Sequence, residues 1–140
     1  MYNMLSIIVE ICKISEEIMY TLRVEDWFAA AHYLENYHGK CENLHGHNYK
    51  VRVYVSGREL GDGGMLLDFA VLKRYLKEIL ELLDHKDLNS TPYFSGLEPS
   101  AENISRFIFE RLKPMLPSGV FLSGVEIFET EKNSVLYQED

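Results

Sequence analysis

The sequence is poor in whatever would staple a chain covalently or carry it through a membrane. Its 140 residues include two cysteines, Cys12 and Cys41, too few for the disulfide framework of a small secreted domain. No apolar run reaches the roughly 18 residues needed to span a bilayer. The apolar stretch from Leu5 to Cys12 has no basic region before it and no small-residue cleavage pattern after it. A secretory signal is therefore not expected, and a soluble cytoplasmic protein is. Basic residues are scarce as well: 14 Lys and Arg against 22 Asp and Glu leave a net charge of −8. Nucleic acid and anionic membrane surfaces, which are held by Lys and Arg, are thereby excluded as principal partners. A small anionic substrate stays open if the local charge inverts. There are only four prolines, and no repeat or low-complexity linker divides the chain.

What is present is an ordinary globular composition, 46% hydrophobic and 26% charged, in a length that suits one domain. Two-residue alternation marks a strand from Tyr20 through Phe28 into Ala29 to His32. A polar loop from Glu35 to Gly46 follows. A second strand then alternates through Ser56, with Tyr49, Val51, Val53 and Val55 on one face. After a glycine-rich turn at 61–64, Asp68 reads as the N-cap of a helix reaching about Leu83. Leu72, Leu76, Ile79, Leu80 and Leu83 form its apolar stripe. Ser100 caps a second helix that buries Ile104, Phe107, Ile108 and Leu112, and Pro114 and Pro117 end it. Strands at Val120 to Glu129 and Ser134 to Gln138 close the chain. The order β-β-α-α-β-β predicts an α+β fold, an antiparallel sheet with two helices on one face. The opening segment, Leu5 to Ile18, reads as an extra strand or helix, or as sequence upstream of a start at Met19.

The histidines carry the chemistry. His45 and His47 open a strand and project on one face, and His32 closes the strand before it. Three neutral imidazoles with one open position describe a catalytic zinc site; His-x-His pairs also arise at turns and on solvated faces. Cys41, four residues before His45, is a candidate general base or nucleophile, its thiol acidified by a nearby cation. It is equally a fourth ligand that would close the site into a structural one, or an inert thiol. His38 reads as a surface residue and Cys12 as a packing residue. Asp84 beside His85 can orient an imidazole for proton transfer, unless His85 is only a histidine at a helix end. Glu129, ending an apolar strand, is suited to the guanidine-like edge of a heterocycle or to solvent.

Taken together, His32, Cys41-x3-His45-Gly-His47, Asp84-His85, Pro99-Ser-Ala-Glu-Asn103 and Glu129-Thr130 resemble the 6-pyruvoyltetrahydropterin synthase family. The cysteine spacing looks more like its bacterial branch, the 6-carboxy-5,6,7,8-tetrahydropterin synthases of queuosine biosynthesis. The likeness runs from about Met19 to Gln138, so residues 1–18 stand as an extension and 19–140 as one synthase domain. The resemblance implies the tunnelling fold, in which subunits join their sheets into a barrel, usually of a hexamer, with active sites between subunits. It implies zinc on His32, His45 and His47, Cys41 as catalytic base, and Asp84 with His85 as proton relay. Glu129 would anchor the pterin ring, helped by Ser100, which stands where relatives often carry Thr. The implied substrate is 7,8-dihydroneopterin triphosphate. Lys40, Lys86 or Arg52 are candidates to meet its charge. The implied product is the 6-carboxy compound, with the 6-pyruvoyl compound as alternative; a zinc- or pterin-binding protein without turnover is the reading from another class.

Overall fold

A computed structural model describes residues 3–140, and the side chains of all of these except residues 13–17. Helix α1 spans Met4–Glu17, strand β1 Tyr20–His32 and strand β2 His45–Gly57. Helix α2 (Phe69–Leu80), the two-residue strand β3 (Lys86–Asp87), helix α3 (Ala101–Leu112), β4 (Phe121–Thr130) and β5 (Asn133–Tyr137) follow. The five strands form one sheet in the order β3-β1-β2-β4-β5.

The expected sheet needs one correction. It is mixed, because β3 runs parallel to β1, pairing Lys86 and Asp87 with Ala30 and Ala31. Two residues are too few to show alternation, so no pattern in the sequence marks this strand. The remaining pairings, β1–β2, β2–β4 and β4–β5, are antiparallel as expected. The opening segment, left open between strand and helix, is a helix. It exposes Met4, Leu5, Ile7, Ile8, Val9 and Ile11, and none of its described residues belongs to the core.

The helices begin where their caps require. Asp68 accepts from Ala70 N–H at 2.8 Å, and Ser100 accepts from Asn103 N–H at 3.2 Å, each satisfying a donor that the first helical turn leaves free. From α2, Leu72, Leu76, Ile79 and Leu80 are buried; from α3, Ile104, Ile108, Phe109 and Leu112. Phe107, expected in that stripe, is only partly buried and packs at the margin against Tyr93 and Phe94. Helix α2 ends at Leu80, earlier than the apolar pattern suggests, yet Leu83 is still fully buried in the turn that follows.

Alternation decides which strand residues meet the helices. Val24 and Phe28 of β1, Tyr49, Val51, Val53 and Val55 of β2, and Val125 and Ile127 of β4 are buried beneath them. The other face is polar: Arg52 binds Glu25 at 2.8 Å, and Tyr54 donates to Glu126 at 2.9 Å. Lys50 reaches Glu131 at 2.8 Å with its ammonium over the ring of Phe128. One face of the sheet therefore builds the core, and the far end of that same face carries the histidines.

Candidate active site

The β1–β2 register builds a column of side chains on the helix-covered face. Phe28 lies opposite Tyr49, Ala30 opposite His47, and His32 opposite His45. Directly opposed residues on one face are in contact and diagonal ones within reach of a ring, so three histidines meet without any loop rearrangement. The ring centroid of His32 is 4.5 Å from that of His45 and 5.1 Å from that of His47. The single methyl of Ala30 between them leaves the rings their space. One nitrogen from each histidine lies within 4.8 Å of the others.

Hydrogen bonds orient two of the rings. His32 Nδ1–H donates to the Pro99 carbonyl at 2.6 Å, and His45 Nδ1–H donates to the Asn43 carbonyl at 2.7 Å. Each bond fixes the tautomer and turns Nε2 inward as an acceptor, the arrangement that second-shell partners impose on metal-ligating histidines. His32 Nε2 and His47 Nε2 are buried and have no hydrogen-bond partner among the described residues. Burial, the largest influence on His47, pulls its imidazole below the ordinary range; His32 and His45 add to this and Glu129 opposes it. A histidine held neutral is the form that binds a metal. Three imidazole nitrogens grouped this closely, two of them buried without a hydrogen-bond partner, are a donor set zinc prefers, and these residues fit it.

Glu129 ends β4 beside this cluster, its carboxylate oxygens 4.0 Å from His32 Nε2 and 3.9 Å from His47 Nε2. It also borders a pocket of about 140 Å³ shared with Ala101, Glu102 and Asn133. Ser100, expected near the ring-binding group, is engaged as the cap of α3. Cys41 is partly exposed in a short 3-10 turn, Lys40–Glu42, and its carbonyl accepts from Leu34 N–H at 2.8 Å. That bond ties the loop back onto the end of β1. The free cation of Arg52 is not available here, since the side chain lies on the opposite sheet face paired with Glu25.

Asp84 and His85 do pair, Oδ1 to Nδ1 at 3.0 Å. Asp84 Oδ1 also accepts from Ala29 N–H at 2.9 Å, and His85 N–H donates to the Ala29 carbonyl at 2.6 Å. The Ala29 bond comes first, and with His85 it holds the Asp84 carboxyl below the usual carboxylate range against the opposing effect of burial. His85 takes a positive φ of 59°, uncommon for a residue with a side chain. Its imidazole projects into solvent, 83% exposed. No hydrogen bond, ion pair or ring contact among the described residues links the pair to the histidine cluster.

Three participants had no distinct signal in the sequence. Tyr49 is fully buried, edge-on to His47 and His32, with a hydroxyl that has no partner. Its position four residues beyond His45 on one strand face is the clue that alternation offered. Burial, then the charges of Glu129 and Cys41, push its phenol up, so it stays a donor. Glu98 accepts from Glu35 N–H at 2.8 Å and Asn36 N–H at 3.0 Å, clamping the loop that leads to Cys41. Asn89 mimics a strand: its side chain accepts from Tyr33 N–H and donates to the Tyr33 carbonyl. All three buried side-chain atoms that lack a partner among the described residues sit in this one column. At about 1–3 kcal/mol for each unsatisfied group, against a total stability of roughly 5–15 kcal/mol, such a concentration marks a place built for a ligand.

Comparison with known proteins agrees with this geometry. The 6-pyruvoyl tetrahydrobiopterin synthase of Dictyostelium discoideum is 44% identical over 103 residues, covering 72% of this chain and 75% of that protein. The 6-carboxy-5,6,7,8-tetrahydropterin synthase of Haemophilus influenzae is 34% identical over 143 residues, covering 86% and 100%. Among solved structures, the Caenorhabditis elegans 6-pyruvoyl tetrahydropterin synthase superposes with a TM-score of 0.79 at 33% identity, covering 88% of this chain and 97% of that one. The fold is thus the α+β tunnelling fold of these synthases. The family model described as 6-pyruvoyl tetrahydropterin synthase matches residues 21–140, and with this site the chain belongs to that family of pterin synthase lyases.

Proposed function

We propose that the protein is a cytoplasmic, zinc-dependent lyase that converts 7,8-dihydroneopterin triphosphate to 6-carboxy-5,6,7,8-tetrahydropterin, with acetaldehyde and triphosphate, for queuosine or 7-deazapurine synthesis. The observation that carries this reading is the set of inward imidazole nitrogens on β1 and β2, with Cys41 a short loop away from His45. His32, His45 and His47 would hold the zinc, which when bound polarises the oxygens of the substrate side chain. Glu129 accepts from the N–H edge of the pterin, with Ser100 and its backbone alongside. Cys41 takes a proton from the side chain. Asp84 holds His85 by Nδ1 and leaves Nε2 to pass a proton. Triphosphate departs, and side chain and ring exchange oxidation levels without a redox cofactor.

His85 is largely exposed beside β1, and no hydrogen bond, ion pair or ring contact among the described residues joins it or Asp84 to the histidines of its own chain. This supports a site completed between subunits, with sheets joined into a hexameric barrel. Lys40 and Lys86, near Cys41 and His85 in sequence, are the candidates to meet the triphosphate. No helix among the described residues is long and apolar enough to cross a membrane.

Purified protein incubated with zinc and 7,8-dihydroneopterin triphosphate tests the assignment. Formation of the 6-carboxy product with acetaldehyde is expected. A second reading, release of 6-pyruvoyltetrahydropterin, is favoured by the 44% identity to the Dictyostelium protein; recovery of that compound alone would establish it instead. Binding without turnover would point to a zinc- or pterin-binding protein.

A further inference from the structure

A zinc ion would satisfy two of the three unpartnered atoms in the site column, His32 Nε2 and His47 Nε2. It leaves the third, the Tyr49 hydroxyl, unexplained. A protonated phenol is a donor that seeks an oxygen acceptor. This one cannot swing out to find water, because the residue has no exposed surface and its ring stacks on Phe28 at 4.8 Å. Its other flank meets His47 at 5.2 Å and His32 at 5.8 Å between ring centroids. No described group of the protein accepts a hydrogen bond from the phenol. Phenylalanine would fill the same space and stack on Phe28 without an orphaned hydroxyl. The hydroxyl therefore has its use when the site is loaded.

We propose that Tyr49 is a substrate-binding residue whose hydroxyl donates a hydrogen bond to a side-chain hydroxyl of the substrate held against the three histidines. The inference rests on the pterin reading and deepens it, by naming the group that distinguishes a polyhydroxylated side chain from a bare one. Sites that hydrogen-bond a substrate hydroxyl reject analogues without it, since a buried polar group is then left unpaired.

The test compares the full-length, zinc-loaded protein with its Tyr49→Phe variant by equilibrium binding of 7,8-dihydroneopterin and of 6-methylpterin, which lacks the side-chain hydroxyls. Loss of one neutral hydrogen bond predicts roughly tenfold weaker dihydroneopterin binding, with 6-methylpterin binding and zinc content unchanged. Without zinc or ligand, the variant should melt at the same temperature as the parent or higher. A drop of several degrees would mean that the hydroxyl's partner lies within the protein, and the proposal falls. Loss of zinc from Tyr49→Phe would mean that the hydroxyl serves the histidines, with the same consequence. If both pterins bind parent and variant alike, this inference alone fails. If neither binds the parent, the pterin reading fails and takes the inference with it.

Discussion

The two histidine-bearing features of this chain are opposites. The His32–His45–His47 cluster lies on the helix-covered face, and the Nε2 atoms of His32 and His47 are buried with no hydrogen-bond partner among the described residues. The Asp84–His85 pair sits at the sheet edge, with His85 83% exposed and Asp84 satisfied by both His85 and Ala29 N–H. Desolvation without partners creates a demand for a cation, because buried polar atoms are costly unless bonded. Exposure with a fixed partner creates something else: an imidazole whose direction is set and whose free nitrogen looks outward. The first feature selects what binds inside the chain, and the second suits it to act on what lies beyond.

The comparison breaks most decisively at the cluster. His47→Ala or His32→Ala should abolish zinc binding and reduce turnover to background, checked by metal analysis of the purified variants. His85→Ala should keep its zinc, which separates the two features in one measurement. Cys41→Ala should also keep zinc while losing roughly 10²–10⁴ in kcat as a general base is removed. If it loses zinc as fully as His45→Ala does, Cys41 is a fourth ligand and the base role is wrong. His85→Ala should show a comparable kcat loss of about 10²–10⁴ for the same reason. Mixing unfolded Cys41→Ala and His85→Ala chains and refolding them together should restore turnover if sites form between subunits; no recovery would place both groups in one chain's site.

The smallest effect concerns acid stability. Asp84 has a folded-state pKa below its unfolded value, so its contribution is complete above about pH 4 and disappears as pH falls through the folded value. The melting-temperature difference between parent and Asp84→Asn should be small at pH 5 and narrower still toward pH 3. A difference that widens on acidification would contradict the pairing with Ala29 and His85.

Much of this was legible along the chain. Both core helices could be read from three- and four-residue apolar spacing, and their caps from Asp68 and Ser100, since capping is local chemistry. The column from His45 through Tyr49 follows from alternation, and His32 from its place at the end of the facing strand. Where legibility failed, the cause was length or distance. Strand β3 has two residues and no period. Helix α1 opens with apolar residues at adjacent positions, Ile7, Ile8 and Val9, a short run that distinguishes neither strand from helix nor buried from exposed. The Glu98 and Asn89 contacts span more than fifty residues of sequence and carry no motif.

The sequence by itself determined the donor set, because imidazole, thiol and carboxylate are properties of residue type and their spacing follows the period of a strand. Only the tertiary structure decided which nitrogens are free. The Pro99 carbonyl turns His32 inward from 67 residues away, and burial strips His47 and Tyr49 of water. Whether a polar atom is satisfied depends on everything packed around it, and that is settled when the β1–β2 hairpin, β4 and the start of α3 close over the same few side chains.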